Sequence, residues 1–143
     1  MDKWVAYAVI SMIFAGFTSV IAKLGLSGIS GELGLAIRTL FVSAFVLGFA
    51  AVFVKTGEIQ FLSAKNYIWL GISGLTTAMS WIFYYKALKD GEVSTVALID
   101  KASFIVAVLL AWLVLKEQIT PRVLIGCLLV GSGLLVVAYR PAS

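Results

Sequence analysis

The sequence predicts an all-α integral membrane protein, a bundle of five transmembrane helices, on three observations. Of its 143 residues 62% are hydrophobic and only 13% charged. A mean hydropathy of +1.07 exceeds what the surface of a soluble domain of this length tolerates. Apolar runs recur at about 4–26, 33–54, 67–88, 93–115 and 122–139, each close to the ~20 residues with which a helix crosses ~30 Å of hydrocarbon. The connectors are a few residues each, apart from 55–66, so a single five-helix domain over 1–143 is expected, with no soluble module.

Each run has its own signals. The first follows Asp2 and Lys3 and is longer than the ~7–15 apolar residues of a signal-peptide core, which predicts an uncleaved anchor. Gly31 is expected to mark the turn into the second run and Gly91 the turn between the third and fourth, while Gly57 breaks the long connector. Thr120-Pro121 supplies an N-cap and a first-turn proline for the fifth. Small residues mark close helix approach, because lipid gives apolar helices no hydrophobic drive to associate. On that ground Gly126, Gly131 and Gly133 are the expected oligomer interface.

Charge sets orientation. With the N-terminus on side one, that side carries Lys3, Lys55, Lys65, Lys116 and Arg122, against Lys89, Arg140 and, at the margin, Lys86 on the other. The positive-inside rule then predicts a cytoplasmic N-terminus and a C-terminus outside, and the cell (plasma or inner) membrane is the expected location. The cations are scattered rather than clustered, which argues against nucleic acid as a partner. Cys127 is the one cysteine, so an intramolecular disulfide is excluded.

Asp100 and Lys101 interrupt the fourth run. At ~1.5 Å per residue Asp100 lies about 10 Å from one end and about 22 Å from the other, too deep for a short aspartate to reach headgroups. Burying such a group costs on the order of 3 kcal/mol on insertion scales, which makes it a functional-site candidate. Lys23, Arg38 and Lys86 are further cations within the runs, all in the outer half. Lys23 and Lys86 can snorkel to the interface, whereas Arg38 and Lys101 lie deeper. Asp100 shares a face with Ser103 and need not pair with its neighbour, since adjacent helical residues point about 100° apart. Arg38 or Lys23 is an alternative partner, which would leave Lys101 for a ligand.

Trp81 and Tyr85 lie one turn apart in the third run. They suit either an interfacial belt, as Trp4, Tyr67 and Tyr139 do, or the wall of a pocket between helices. No enzyme chemistry is encoded: there is no histidine, no acidic cluster with metal-ligand spacing and no P-loop, and Asp100 alone cannot form a paired-carboxylate centre. No cofactor or metal is implied.

The ordered stretches Lys23, Ala36-Ile37-Arg38, Phe83-Tyr84-Tyr85-Lys86-Ala87-Leu88, Gly91-Glu92-Val93-Ser94, Asp100-Lys101-Ala102-Ser103 and Leu115-Lys116-Glu117-Gln118-Ile119-Thr120 resemble an EamA-type unit of the drug/metabolite transporter superfamily. Within it they are similar to the short five-span bacterial and archaeal branch. The resemblance implies a secondary transporter of a small metabolite working by alternating access, with a second copy or a paralogous partner completing the unit. In that setting Arg38 and Lys101 are expected to receive an anionic or zwitterionic group. Lys23, Trp81, Tyr85 and Ser103 border it, and Asp100 pairs with a cation or takes the coupling proton. Two rivals stand beside this reading: a non-transporting subunit that stabilises or regulates a partner, and an exporter of lipophilic cations.

Overall fold

A computed structural model describes residues 3–138, and the chain divides into two compact units, Met1–Asp90 and Gly91–Ser143. The described residues are helical with short connectors and contain no strand. Asp2, Tyr139 and Arg140 fall outside them.

In the first unit, α1 (Lys3–Gly25) and α2 (Gly31–Phe53) are each 23 residues long and apolar enough to cross a membrane. The turn between them is made at Gly28, whose φ of +76° suits a residue without Cβ. Gly31, expected as the turn residue, is instead the first residue of α2. A Cβ there would meet the Tyr85 carbonyl oxygen at 2.9 Å, so this glycine serves a close approach rather than a bend. Ser30 caps α2 by accepting the Leu33 N–H at 3.2 Å, which starts the helix before residue 33.

Rather than being broken at Gly57, the connector is a 3-10 turn over Thr56–Phe61. Helix α3 (Ala64–Asp90) begins earlier than expected, because Ser63 and Asn66 cap it reciprocally. The Ser63 N–H and hydroxyl both reach Asn66 Oδ1, while the Asn66 N–H lies 3.4 Å from Ser63 Oγ. α3 packs on α2.

In the second unit the fourth apolar run is not one uninterrupted α-helix. It forms α4 (Val93–Lys101) and α5 (Ser103–Val114), joined at Ala102, and the stretch Val93–Val114 is long and apolar enough to span. The Ala102 N–H bonds to the Ile99 carbonyl at 2.9 Å, and the Ile105 N–H to that of Ala102 at 3.0 Å. These three-residue steps tighten the helix at Ala102. Lys116 then turns the chain in the left-handed region, φ 55°. In α6 (Pro121–Ala138), Thr120 sits at the N-cap with its hydroxyl 3.4 Å from the Val123 N–H. α6 packs on α4.

Among the described residues few side chains are enclosed. Leu26, Tyr85 and Leu88 form the buried apolar core, while large apolar residues along every helix, such as Phe45, Leu75 and Leu135, face outward. Water would not tolerate that surface, and lipid does.

Candidate functional site

α2 carries Arg38 seven residues from its first position, and α3 brings two rings to it. The guanidinium carbon lies 4.3 Å from the centre of the Trp81 ring and 5.7 Å from that of Tyr85. One-turn spacing on α3 puts the two aromatics on one face, and their negative faces hold the cation, a contact worth roughly 2 kcal/mol when desolvated. The rings hold the charge without giving its N–H groups hydrogen-bond acceptors. Arg38 Nη1 is buried and has no hydrogen-bond partner among the described residues.

Beside this cation is a cavity of about 340 Å³. α1 contributes Thr18 and Ala22, the following turn Leu26, and α2 Ile37 and Arg38, with Tyr85 reaching in from α3. Its lining is otherwise aliphatic, and Thr18 already donates its hydroxyl to the Phe14 carbonyl at 2.8 Å. Trp81 lines a second groove, of about 820 Å³, together with Glu32, Thr39, Gly74 and Ala78.

Lys23, Lys89 and Lys86 of the first unit are each engaged by protein groups. Lys23 Nζ donates to the carbonyls of Leu88 and Lys89 at 2.6 and 2.9 Å, and Lys89 Nζ returns a hydrogen bond to the Leu26 carbonyl at 3.0 Å. Each lysine thus crosses to the carbonyl-rich C-terminal end of the other's helix, where the macrodipole favours positive charge. Lys86 pairs with Glu32 at 3.2 Å, with both side chains more than half exposed. The Tyr84 hydroxyl donates to Ser19 Oγ at 2.8 Å. Sequence reasoning passed over Glu32, Ser19 and Leu26, and met Leu88 only within the stretch that carries the family resemblance. Only Glu32 carried a signal, as an acid in the first turn of an apolar helix.

In the second unit Lys101 Nζ lies 3.6 Å from Asp100 Oδ2. The long lysine side chain reaches back to its neighbour at the end of α4, one residue before the tightened step at Ala102. Ser103 opens α5 and is exposed. Of the three glycines at the expected interface, Gly131 faces Ile105, whose Cδ1 would lie 3.7 Å from an added Cβ. Gly126 and Gly133 face open space.

Helices clad in apolar side chains, with an arginine nitrogen buried beside a small cavity in the first unit, define a polytopic membrane protein. Comparison with known proteins gives the family: the model of the EamA-like transporter family matches residues 2–139, and the chain belongs to that family. A Sinorhizobium sp protein named as an uncharacterized transporter in the cobO 3' region is 32% identical over 140 residues, 96% of this chain and 97% of the relative. No solved structure matches the chain. Membership makes the protein a multi-pass membrane transporter, with a lipid bilayer as its surroundings and a small molecule as its cargo, and points away from an enzyme.

Proposed function

We propose that the chain is a secondary transporter of the cell membrane that carries a small organic anion by alternating access, with Arg38 receiving the negative group. The observation that carries this reading is the buried Arg38 Nη1, held over Trp81 and Tyr85 at the edge of the cavity and lacking an acceptor. A buried guanidinium N–H without a hydrogen-bond partner is costly in a ligand-free protein and is relieved by a bound carboxylate or phosphate. In this reading the whole chain acts as one domain with five spans, a cytoplasmic N-terminus and an external C-terminus. The unit is completed by a second copy or a paralogue, with the open faces of Gly126 and Gly133 at the contact.

Asp100 and Lys101 take the coupling role. They sit where the helix tightens at Ala102, and ionisable groups at broken helices are where coupling ions act in transporters built from repeats. Lys23 ties the end of α1 to the last turn of α3 through its carbonyl contacts and so gates the site. The test is transport in proteoliposomes of small organic anions first selected by thermal stabilisation. Arg38→Gln should abolish flux of any anion the wild type carries, and flux unchanged by that substitution would remove the reading. Reporter fusions at both termini settle the assembly: signal from one orientation only excludes an inverted homodimer.

The non-transporting subunit has one observation in its favour, the commitment of Lys23 and Lys89 to backbone carbonyls in helix pairing. Failure of every anion to stabilise the purified protein would favour it.

A further inference from the structure

We propose that the cargo is a monocarboxylate with a compact apolar body and no ammonium group, a reading that rests on Arg38 as the receiver of the substrate's negative charge. Three observations restrict the ligand. The cavity offers one cation in need of an acceptor, since Lys23 is engaged by the Leu88 and Lys89 carbonyls and Lys86 by Glu32. One guanidinium edge suits one carboxylate, which accepts two parallel N–H groups. A second negative charge on the ligand would be pressed against Ile21, Ile29 and Ile37.

The second observation concerns positive charge. No carboxylate lines the cavity. The acid of this unit nearest in sequence to Arg38, Glu32, borders the other groove and is held by Lys86 at 3.2 Å. The α-ammonium of an amino acid would enter without a counter-charge, next to a guanidinium of the same sign, and would lose its hydration there. The site therefore selects against zwitterions by what it withholds.

The third is size. The volume of about 340 Å³ stands near the lower end of small-molecule sites, roughly 300–1,000 Å³. The aliphatic wall supplies the hydrophobic part of the binding, and the guanidinium fixes the polar end.

The test uses the purified full-length chain in an uncharged detergent and three probes that share one carbon skeleton: 4-methylpentanoate, L-leucine, which adds an α-ammonium, and the neutral 4-methylpentanamide. Thermal unfolding is followed by tryptophan fluorescence across a titration of each. 4-Methylpentanoate should raise the midpoint saturably, leucine should need at least tenfold higher concentration, and the amide should do nothing. Arg38→Gln should lose the shift. Ala22→Phe, which fills the cavity and keeps the guanidinium, should lose it too, so the outcome does not hang on whether one variant folds. Leucine acting at equal or lower concentration, in an Arg38-dependent way, would overturn this inference and leave Arg38 as the anion receiver. Shifts by 4-methylpentanoate that survive both substitutions, or no shift by any probe, would overturn both. So would stabilisation that follows added phosphatidylglycerol alone, since Arg38 would then be holding a lipid headgroup.

Discussion

The guanidinium of Arg38 stacks on the indole of Trp81 at 4.3 Å, so the one buried unpartnered side-chain nitrogen among the described residues is aimed by an aromatic ring rather than by an acid. A carboxylate in place of Trp81 would neutralise the cation permanently. A ring stabilises it and leaves its hydrogen-bonding capacity for a ligand. Trp81→Ala should lower stability by about 2 kcal/mol through the lost contact and packing. It should also weaken anion binding about tenfold, as the guanidinium gains rotameric freedom. Trp81→Phe should recover part of both. Paired melting and titration curves check it, and an unchanged binding constant in Trp81→Ala would separate the ring from the site.

Gly31 and Gly126 make a controlled comparison. An added Cβ at Gly31 would come within 2.9 Å of the Tyr85 carbonyl oxygen, a backbone atom that cannot swing aside, whereas Gly126 has open space. Gly31→Ala should cost about 1–3 kcal/mol as α2 and α3 are forced apart. Gly126→Ala should leave the fold's stability unchanged or raise it by about 0.5–1 kcal/mol from helix propensity. Chemical crosslinking adds the second reading: Gly126→Leu should reduce dimer yield if that face meets another copy.

The lysine exchange between helix ends is testable as a pair. Lys23→Met leaves the Leu88 and Lys89 carbonyls without their donor, and Lys89→Met does the same to Leu26. Each should destabilise the first unit by about 1–3 kcal/mol, the usual cost of an orphaned group. The double variant should cost less than the sum, because the two contacts close one clasp. Hydrogen exchange should rise at the last turn of α3. Strict additivity would show that the two lysines act independently.

Much of this was legible in the sequence, and the failures have physical causes. The apolar runs located the helices because hydrophobicity of that length has few other outcomes. Starts were missed where caps outweigh hydrophobicity: Ser63 with Asn66 begins α3 at Ala64, although residues 64–66 are polar or small. Gly28, not Gly31, makes the turn, and sequence alone cannot say which of two nearby glycines needs positive φ and which needs room. The break at Ala102 has no glycine or proline to announce it. For the site, depth singled out Arg38 and Asp100, and one-turn spacing linked Trp81 to Tyr85. That the rings lie under the guanidinium depends on how α2 packs on α3, which periodicity does not encode.

Asp100 and Lys101 should act on motion rather than on binding. Their turn is tightened by three-residue hydrogen bonds at Ala102, a local departure from the α-helical ladder at which a helix can hinge. Asp100→Asn and Lys101→Ala should each slow transport at least tenfold while changing equilibrium anion affinity by no more than about twofold, a loss of about 1.4 kcal/mol or more in the rate alone. Flux and affinity measured on one preparation check it. Wild-type flux in both variants would remove the coupling role.

The most direct test of the account is counterflow of labelled 4-methylpentanoate in proteoliposomes loaded with the unlabelled anion, comparing wild type with Arg38→Lys and Arg38→Gln. Wild type should show transient accumulation, Arg38→Lys a reduced peak, because it keeps the charge but not the planar fork, and Arg38→Gln none. Accumulation by Arg38→Gln equal to wild type would contradict it.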